Sequence, residues 1–334
     1  MKLVASLLSL LVREKATPGF FRDCTATTVD LLPGLCTSGC NGDLSKHLPD
    51  HLPKHLATHL PRGVIRLGSD ARLLWCSSSA PDFAMSRTAV FAHWSEQGTV
   101  APYVLVFLRA LKAAGWRLVL TCGREPVVTP VLTRLCDAIV CRDCAGYDFT
   151  SWKAALEVCP SLFAASELLF TNDSIFAPIG DLSPIHRAMR AVPCDFWGLV
   201  ASRERLPHLQ SYYLVFRAAT LKHPAFAAFW NAVDRTADRL EAVLRYEVIL
   251  SPWLALHGLT PGAYVPFQAL PDTNINPAHY FWKELLSRYG VPVLKRDLLR
   301  DYRDTPFLSG WETLLERQGY NPALVQQFFA PPQQ

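Results

Sequence analysis

Glu167-Leu-Leu-Phe-Thr-Asn-Asp-Ser174 decides how this chain reads. The apolar run Leu168-Leu169-Phe170 stops abruptly at small polar residues. That is the pattern of a buried parallel strand carrying a carboxylate to the carboxyl edge of a sheet. Ligands of open α/β sheets bind at that edge. Asp173, flanked by Asn172 and Ser174, suits a divalent cation or a sugar hydroxyl there. The same residue types also form an Asx turn or a helix N-cap after a strand. On this stretch alone, both readings stand.

The residues on either side favour a sheet. Upstream, Ala89–His93, Arg117–Thr121 and Asp137–Val140 read as strands. Between them, Ala101–Ala114 carries Val104, Phe107, Leu108 and Leu111 at helical spacing and ends at Gly115, and Pro130–Leu135 is a short helix. A helix opening near Gly146, capped by Asp148 or Thr150, leads into the organising strand. The β-α-β-α-β-α-β alternation predicts a mostly parallel sheet with helices on both faces. No G-x-G-x-x-G follows the first strand, and no G-x-x-x-x-G-K-[ST] occurs, so the usual dinucleotide and P-loop fingerprints are absent. Polar residues instead gather after three strands: His93-Trp94-Ser95, then Arg142, Asp143, Gly146, Tyr147 and Asp148, then Asn172-Asp173-Ser174.

Downstream, Leu199–Ser202 and His208–Phe216 read as strands. Pro224 begins a long amphipathic helix through Phe226, Phe229, Trp230, Val233, Leu240, Val243 and Leu244. It runs on into Val248–Leu256, bent or broken near Pro252. Asn276-Pro-Ala-His279 opens a further helical portion. The expected organisation is a low-complexity, disordered segment over 1–86, one α/β domain over 87–300 and a helical tail over 301–334. Within the first segment, His47, His51, His55 and His59 recur every four residues, but Pro49 and Pro53 oppose the helix that would align them.

Composition narrows the function classes. The 334 residues are 50% hydrophobic and 19% charged, enough for a sizeable core. A net charge of +4 suits an anionic small ligand or an acidic membrane surface and is too weak for nucleic acid. No run approaches the ~18 apolar residues of a membrane span. Leu3–Val12 lacks a cleavage site for a signal peptide. The ten cysteines include Cys122, Cys136 and Cys141 in or beside strands, which reads as reduced thiols in the cytosol. Cys141-x-x-Cys144 has no second pair to complete a zinc site.

Seven motifs in order resemble the rhamnan synthesis protein F family. They are Gly146-Tyr-Asp-Phe-x-x-Trp152, Thr171-Asn-Asp-Ser174, Asp195-Phe-Trp-Gly198, His208-Leu-Gln-Ser-Tyr212, Tyr246-Glu247, Asn276-Pro-x-His279-x-x-Trp282 and Pro292-x-Leu-Lys-Arg296. The likeness spans Ala89 to Arg300. It implies a GT-A-like glycosyltransferase acting at the cytoplasmic face of the membrane in cell-surface polysaccharide synthesis. It also implies a nucleotide-diphosphate sugar donor, with dTDP-rhamnose suspected, and a glycan or lipid-linked glycan acceptor.

That chemistry assigns expected roles. Members of the fold usually place Asp-x-Asp after the fourth strand to hold Mg²⁺ or Mn²⁺; here Asn172-Asp173-Ser174 leaves Asp173 as the metal candidate. Alternatively Asp173 holds donor ribose or sugar, and Arg142, Lys295 or Arg296 neutralises the diphosphate. Glu247 and Asp195 are the candidate acceptor bases. His93 lies where a nucleotide base or ribose would sit, and Tyr147 and Trp152 are candidates to stack on the donor beside Asp148. His208, Ser211 and His279 are candidate acceptor or phosphate contacts. The competing reading is a catalytically silent protein of the same fold that binds glycan or scaffolds an assembly complex.

Overall fold

The computed structural model describes residues 71–79, 81–142, 146–236 and 238–330. The histidine repeat, Leu3–Val12, Asp143 and Cys144 lie outside them. Eleven strands occur in the described residues: β1 Arg72–Cys76, β2 Arg87–His93, β3 Arg117–Cys122, β4 Ala138–Cys141, β5 Glu167–Asn172, β6 Ile175–Phe176, β7 Phe196–Ser202, β8 His208–Leu209, β9 Tyr213–Arg217, β10 Pro261–Val265 and β11 Leu294–Lys295. Helices α1 Pro102–Ala113, α2 Pro130–Leu135 and α3 Asp148–Val158 connect β2 through β5, as the alternation predicts. Thr129 caps α2. The helix α3 has no side-chain cap: Tyr147 is its N-cap residue, and the Thr150 hydroxyl donates back to the Tyr147 carbonyl.

The large sheet runs β1-β4-β3-β2-β5-β9-β7-β10, with β8 added to β7. It is mixed. The pairs β4–β3, β3–β2, β2–β5 and β7–β10 are parallel, whereas β9 enters antiparallel between β5 and β7, and β1 is antiparallel on β4. The strand β1 falls inside the stretch read as low-complexity. Strand order reverses at β2: β3 and β4 continue to one side and β5 to the other. The carboxyl ends of β2 and β5 therefore flank a topological switch point, where open sheets leave a crevice.

Alternation along each strand builds two apolar layers. Ala89, Phe91, Leu118, Leu120 and Leu169 face one core with α1 (Tyr103, Val104, Phe107, Leu111) and the C-terminal helices. Val90, Ala92, Val119, Leu168 and Phe170 face the other, against Phe149, Trp152, Phe226 and Trp230. Burial on both faces explains why β2 and β5 read as continuous apolar runs.

Three elements differ from the sequence reading. The helix from Pro224 stops at Ala232, because Lys153 Nζ takes the Asn231 and Val233 carbonyls (3.4 and 2.6 Å) and the Tyr246 hydroxyl exchanges hydrogen bonds with the Asp234 backbone. It restarts behind Asp238, and the irregularity before Val248–Leu256 is a π turn at Val243–Glu247, not a break at Pro252. His208–Phe216 is two strands, since Leu209 N–H goes to Ser251 Oγ and Ser211 N–H to Glu247 instead of to a neighbouring strand.

Candidate functional site

Asp173 follows β5 at the switch point and is nearly fully buried. Its Oδ2 accepts from His93 Nδ1 (2.7 Å) and from the Trp94 backbone N–H (2.9 Å). Its Oδ1 accepts from Arg296 Nη1 (3.2 Å). Tyr103 donates its hydroxyl to the Asp173 carbonyl (2.8 Å) and accepts from Arg296 Nη1 (3.1 Å). Burial alone pushes this carboxyl up; the His93 hydrogen bond, the Arg296 charge and the Trp94 N–H outweigh it and hold it below the usual carboxylate range. His93 Nε2 meets the Thr99 carbonyl at 3.1 Å, so both ring nitrogens face acceptors.

Arg296 arrives from far along the chain. The two-residue strand β6, directly after Asp173-Ser174, pairs antiparallel with β11, matching Lys295 with Ile175 and Leu294 with Phe176. The Arg296 N–H donates to the Ser174 carbonyl (2.8 Å). Lys295 is thereby drawn under Tyr212, with Nζ 4.7 Å from the ring centroid. The residue is 8% exposed, its ammonium makes no hydrogen bond or ion pair among the described residues, and its charge acts on Asp148 and Asp297.

Two half-buried carboxylates complete the edge. Asp148, at the start of α3, accepts from Asn172 Nδ2 (2.6 Å), while Asn172 Oδ1 accepts from Ser174 N–H and Oγ (3.1 and 2.6 Å). Burial, together with the charges of Asp173 and Glu247, raises Asp148 from 3.8 to about 6 against the opposing Arg296 and Lys295. Glu247 takes the Ser211 N–H at 3.1 Å and has no cationic partner among the described residues, because Arg245 pairs with Glu241 (2.7 Å). The Tyr212 hydroxyl and Gln210 Oε1 nearby are buried and, among the described residues, unpartnered.

The structure thus brings His93, Asp148, Asn172, Asp173, Ser174, Ser211, Glu247, Lys295 and Arg296 to one edge. Tyr147 is beside them and half-exposed. Arg142 follows β4 at the same edge but is buried, with Nε on Ser151 Oγ (2.9 Å) and Nη2 on the Gly146 carbonyl (2.9 Å). His208 flanks the edge through its pairing with Ser202, Nδ1 on the Leu206 carbonyl (2.7 Å). His279 lies 3.7 Å from Asp297, which Arg239 also grips.

Two sequence candidates are corrected. Asp195 precedes β7, a strand running in the same sense as β5, so it stands at the opposite edge from Asp173. There its Oδ2 accepts from Thr260 N–H (2.7 Å), tying β7 to β10. Trp152 is wholly buried, stacked 5.3 Å from Phe170 and donating to the Thr171 carbonyl, so no donor reaches its face. Trp94, which the sequence placed after the first strand without a role, is 58% exposed at the end of β2. An aromatic at a strand's carboxyl end beside a polar cluster was the available signal.

Asp173 fits a metal poorly. Three N–H donors already point at its two oxygens, two of them on cationic or cation-forming side chains. Among the described residues no group of three His, Cys, Asp or Glu side chains is placed to hold an ion. No helix of the described residues is long and apolar enough to cross a membrane.

Two sequences of virulence protein VirA from Vibrio anguillarum, one of them from strain ATCC 68554 / 775, are each 26% identical over 203 residues. These alignments cover 51% of this chain and 64% of each relative, so this chain spans less than two thirds of those proteins. The rhamnan synthesis protein F description matches residues 126–325, a stretch from the loop before α2 to the last helix that includes every carboxylate and cation of the edge except His93. This chain belongs to the rhamnan synthesis protein F family.

Proposed function

We propose that this protein is a glycosyltransferase of polysaccharide synthesis, transferring a sugar, rhamnose by the family description, from a nucleotide-diphosphate donor to a glycan acceptor. One observation carries the reading. Strand β11 sets the Lys295 ammonium, which makes no ion pair among the described residues, beside two half-buried carboxylates at the switch-point crevice. An ammonium held at this edge attracts an anionic ligand through charge-assisted hydrogen bonds, and a diphosphate is such an anion.

In this reading Lys295 and the outward N–H groups of Arg296 hold the diphosphate. Asp173 does not meet the ligand; it orients Arg296 and His93. Asn172 and Asp148 meet sugar hydroxyls. The acceptor hydroxyl attacks the anomeric carbon, the carbon–oxygen bond to the diphosphate breaks with its electron pair leaving on the diphosphate, and the proton passes to Glu247. Cationic side chains stabilise the leaving group where many enzymes of the fold use a metal. The donor set around Asp173 supports this metal-independent form.

The test is transfer from dTDP-rhamnose and other nucleotide sugars to a rhamnan acceptor, with chelator present. Turnover lost in Glu247→Gln and Lys295→Met, both still folded, supports the reading. Nucleotide binding without turnover favours the silent scaffold, which the missing second aspartate keeps as the alternative.

A further inference from the structure

His93 and Trp94 leave the end of β2 in opposite directions. His93 turns inward to Asp173, whereas the Trp94 indole stands outward with more than half its surface exposed. Tryptophan, with an apolar body and a polar N–H, is enriched at interfaces where one side is apolar and the other wet. Its backbone is anchored. Its backbone N–H is fixed by Asp173 at 2.9 Å. A Cβ on Gly123 would fall 2.9 Å from Trp94 Cδ1 and 3.0 Å from Arg142 Nη2, so the bare glycine after β3 seats the indole beside that buried guanidinium.

The loops after β2 and β3 are also laced together. Gly123 N–H donates to the His93 carbonyl (3.0 Å), Val127 N–H to the Gly98 carbonyl (2.9 Å), and the Arg124 guanidinium to the Glu96 carbonyl. Gly98 sits at φ +69°, with the Glu125 carbonyl 2.6 Å from where its Cβ would be. The result is an indole backed on one side by the Gly123 turn and open on the other. Asp173 ties this platform to Arg296, its Oδ2 taking the Trp94 N–H and its Oδ1 the Arg296 guanidinium.

We infer that Trp94 is the stacking surface for the heterocyclic base of the donor nucleotide. This rests on the nucleotide-sugar reading above and adds to it the residue that recognises the nucleoside. Stacking on one aromatic face is tolerant of base identity. Trp94 therefore supplies affinity for nucleosides as a class, and the choice among bases falls to the polar groups of the same two loops.

The full chain is titrated with dTDP, UDP, GDP and inorganic pyrophosphate, as wild type, Trp94→Ala and Trp94→Phe. Expected is a loss of roughly 5- to 150-fold for each nucleoside diphosphate in Trp94→Ala, with pyrophosphate affinity unchanged and most of the loss recovered by Trp94→Phe. Unchanged nucleotide affinity in Trp94→Ala overturns the inference, as does an equal loss for pyrophosphate. A wild type that binds pyrophosphate as tightly as any nucleotide also overturns it, leaving the diphosphate site standing. A wild type that binds none of the four removes the nucleotide-sugar reading and this inference with it. Circular dichroism and a thermal midpoint confirm that the exposed-site variants are folded.

Discussion

The Arg296 guanidinium lies 3.2 Å from Asp173 Oδ1, closing an ion pair between residues 123 positions apart in the chain. Strand pairing of β6 with β11 makes this contact, and through it the C-terminal third of the domain is bolted to the switch point of the sheet. The pair has structural consequences that differ from those expected of a metal ligand.

Removing one partner of a buried ion pair leaves the other charge stranded, at a cost of about 3–5 kcal/mol. Asp173→Ala strands the Arg296 charge and removes the carboxylate that meets His93 Nδ1. Urea unfolding is expected to show a loss in that range, and Asp173→Ala with Arg296→Met together should cost less than the sum of the singles. A loss under about 1 kcal/mol, with the change confined to metal response, would return Asp173 to the role of metal ligand.

Asp173 and Asp148 predict opposite dependences on pH. Asp173 is depressed below its ordinary value of 3.8, so its stabilisation is complete above that value and is lost as pH falls through the folded-state pKa. Asp148 is raised from 3.8 to about 6, so its contribution is present below 3.8 and disappears as pH rises through 6. Between about pH 4 and 6, Asp148→Asn should therefore gain stability relative to wild type as pH rises. Denaturation curves at half-unit intervals check the sign, and a flat difference would show that Asp148 titrates as it does in the unfolded chain.

Lys295→Met is expected to leave the midpoint of thermal unfolding within a few degrees of wild type, since no hydrogen bond or ion pair of the described residues depends on the ammonium. Charge-assisted contacts are worth about 1.5–3 kcal/mol. Calorimetric titration with a nucleoside diphosphate should thus show affinity weakened by roughly 10- to 100-fold. Equal affinities would remove Lys295 from the diphosphate site.

Glu247 and Asp195 separate chemistry from scaffolding. Glu247→Gln retains the Ser211 N–H bond but cannot take a proton, so transfer should fall by roughly 10²–10⁴ with donor affinity kept. Asp195→Asn weakens the β7–β10 junction by about 1 kcal/mol and leaves the rate per folded molecule unchanged. If the two rate effects were reversed, the acceptor would have to lie at the other edge of the sheet.

Chelation is the remaining check. With Asp173 saturated by N–H donors, nucleotide affinity in EDTA should equal that in Mn²⁺. An affinity that rises with Mn²⁺ would require that Asp148 and a diphosphate form the ion site instead.

Much of the domain was legible in the chain itself. The alternation from β2 to β5, the edge cluster at Asn172-Asp173-Ser174 and the family motifs follow from local pattern, because side-chain period and turn chemistry are encoded by near neighbours. The break after Ala232 was not legible: Phe226, Phe229, Trp230 and Val233 keep helical spacing, and only Lys153, 78 residues before Asn231, takes the carbonyls that end the helix. As residue types, Trp152 fitted a donor-stacking role and Asp195 an acceptor base, and burial against Phe170 and the direction of β7 removed them. The single carboxylate of Asp173 is written in the sequence. That its oxygens are spent on His93, Trp94 and Arg296, and that Lys295 arrives beside Asp148, was decided by tertiary structure. Those contacts join positions about 80 to 150 apart, and only the packing of the whole sheet brings such distant residues within hydrogen-bond and Coulomb range.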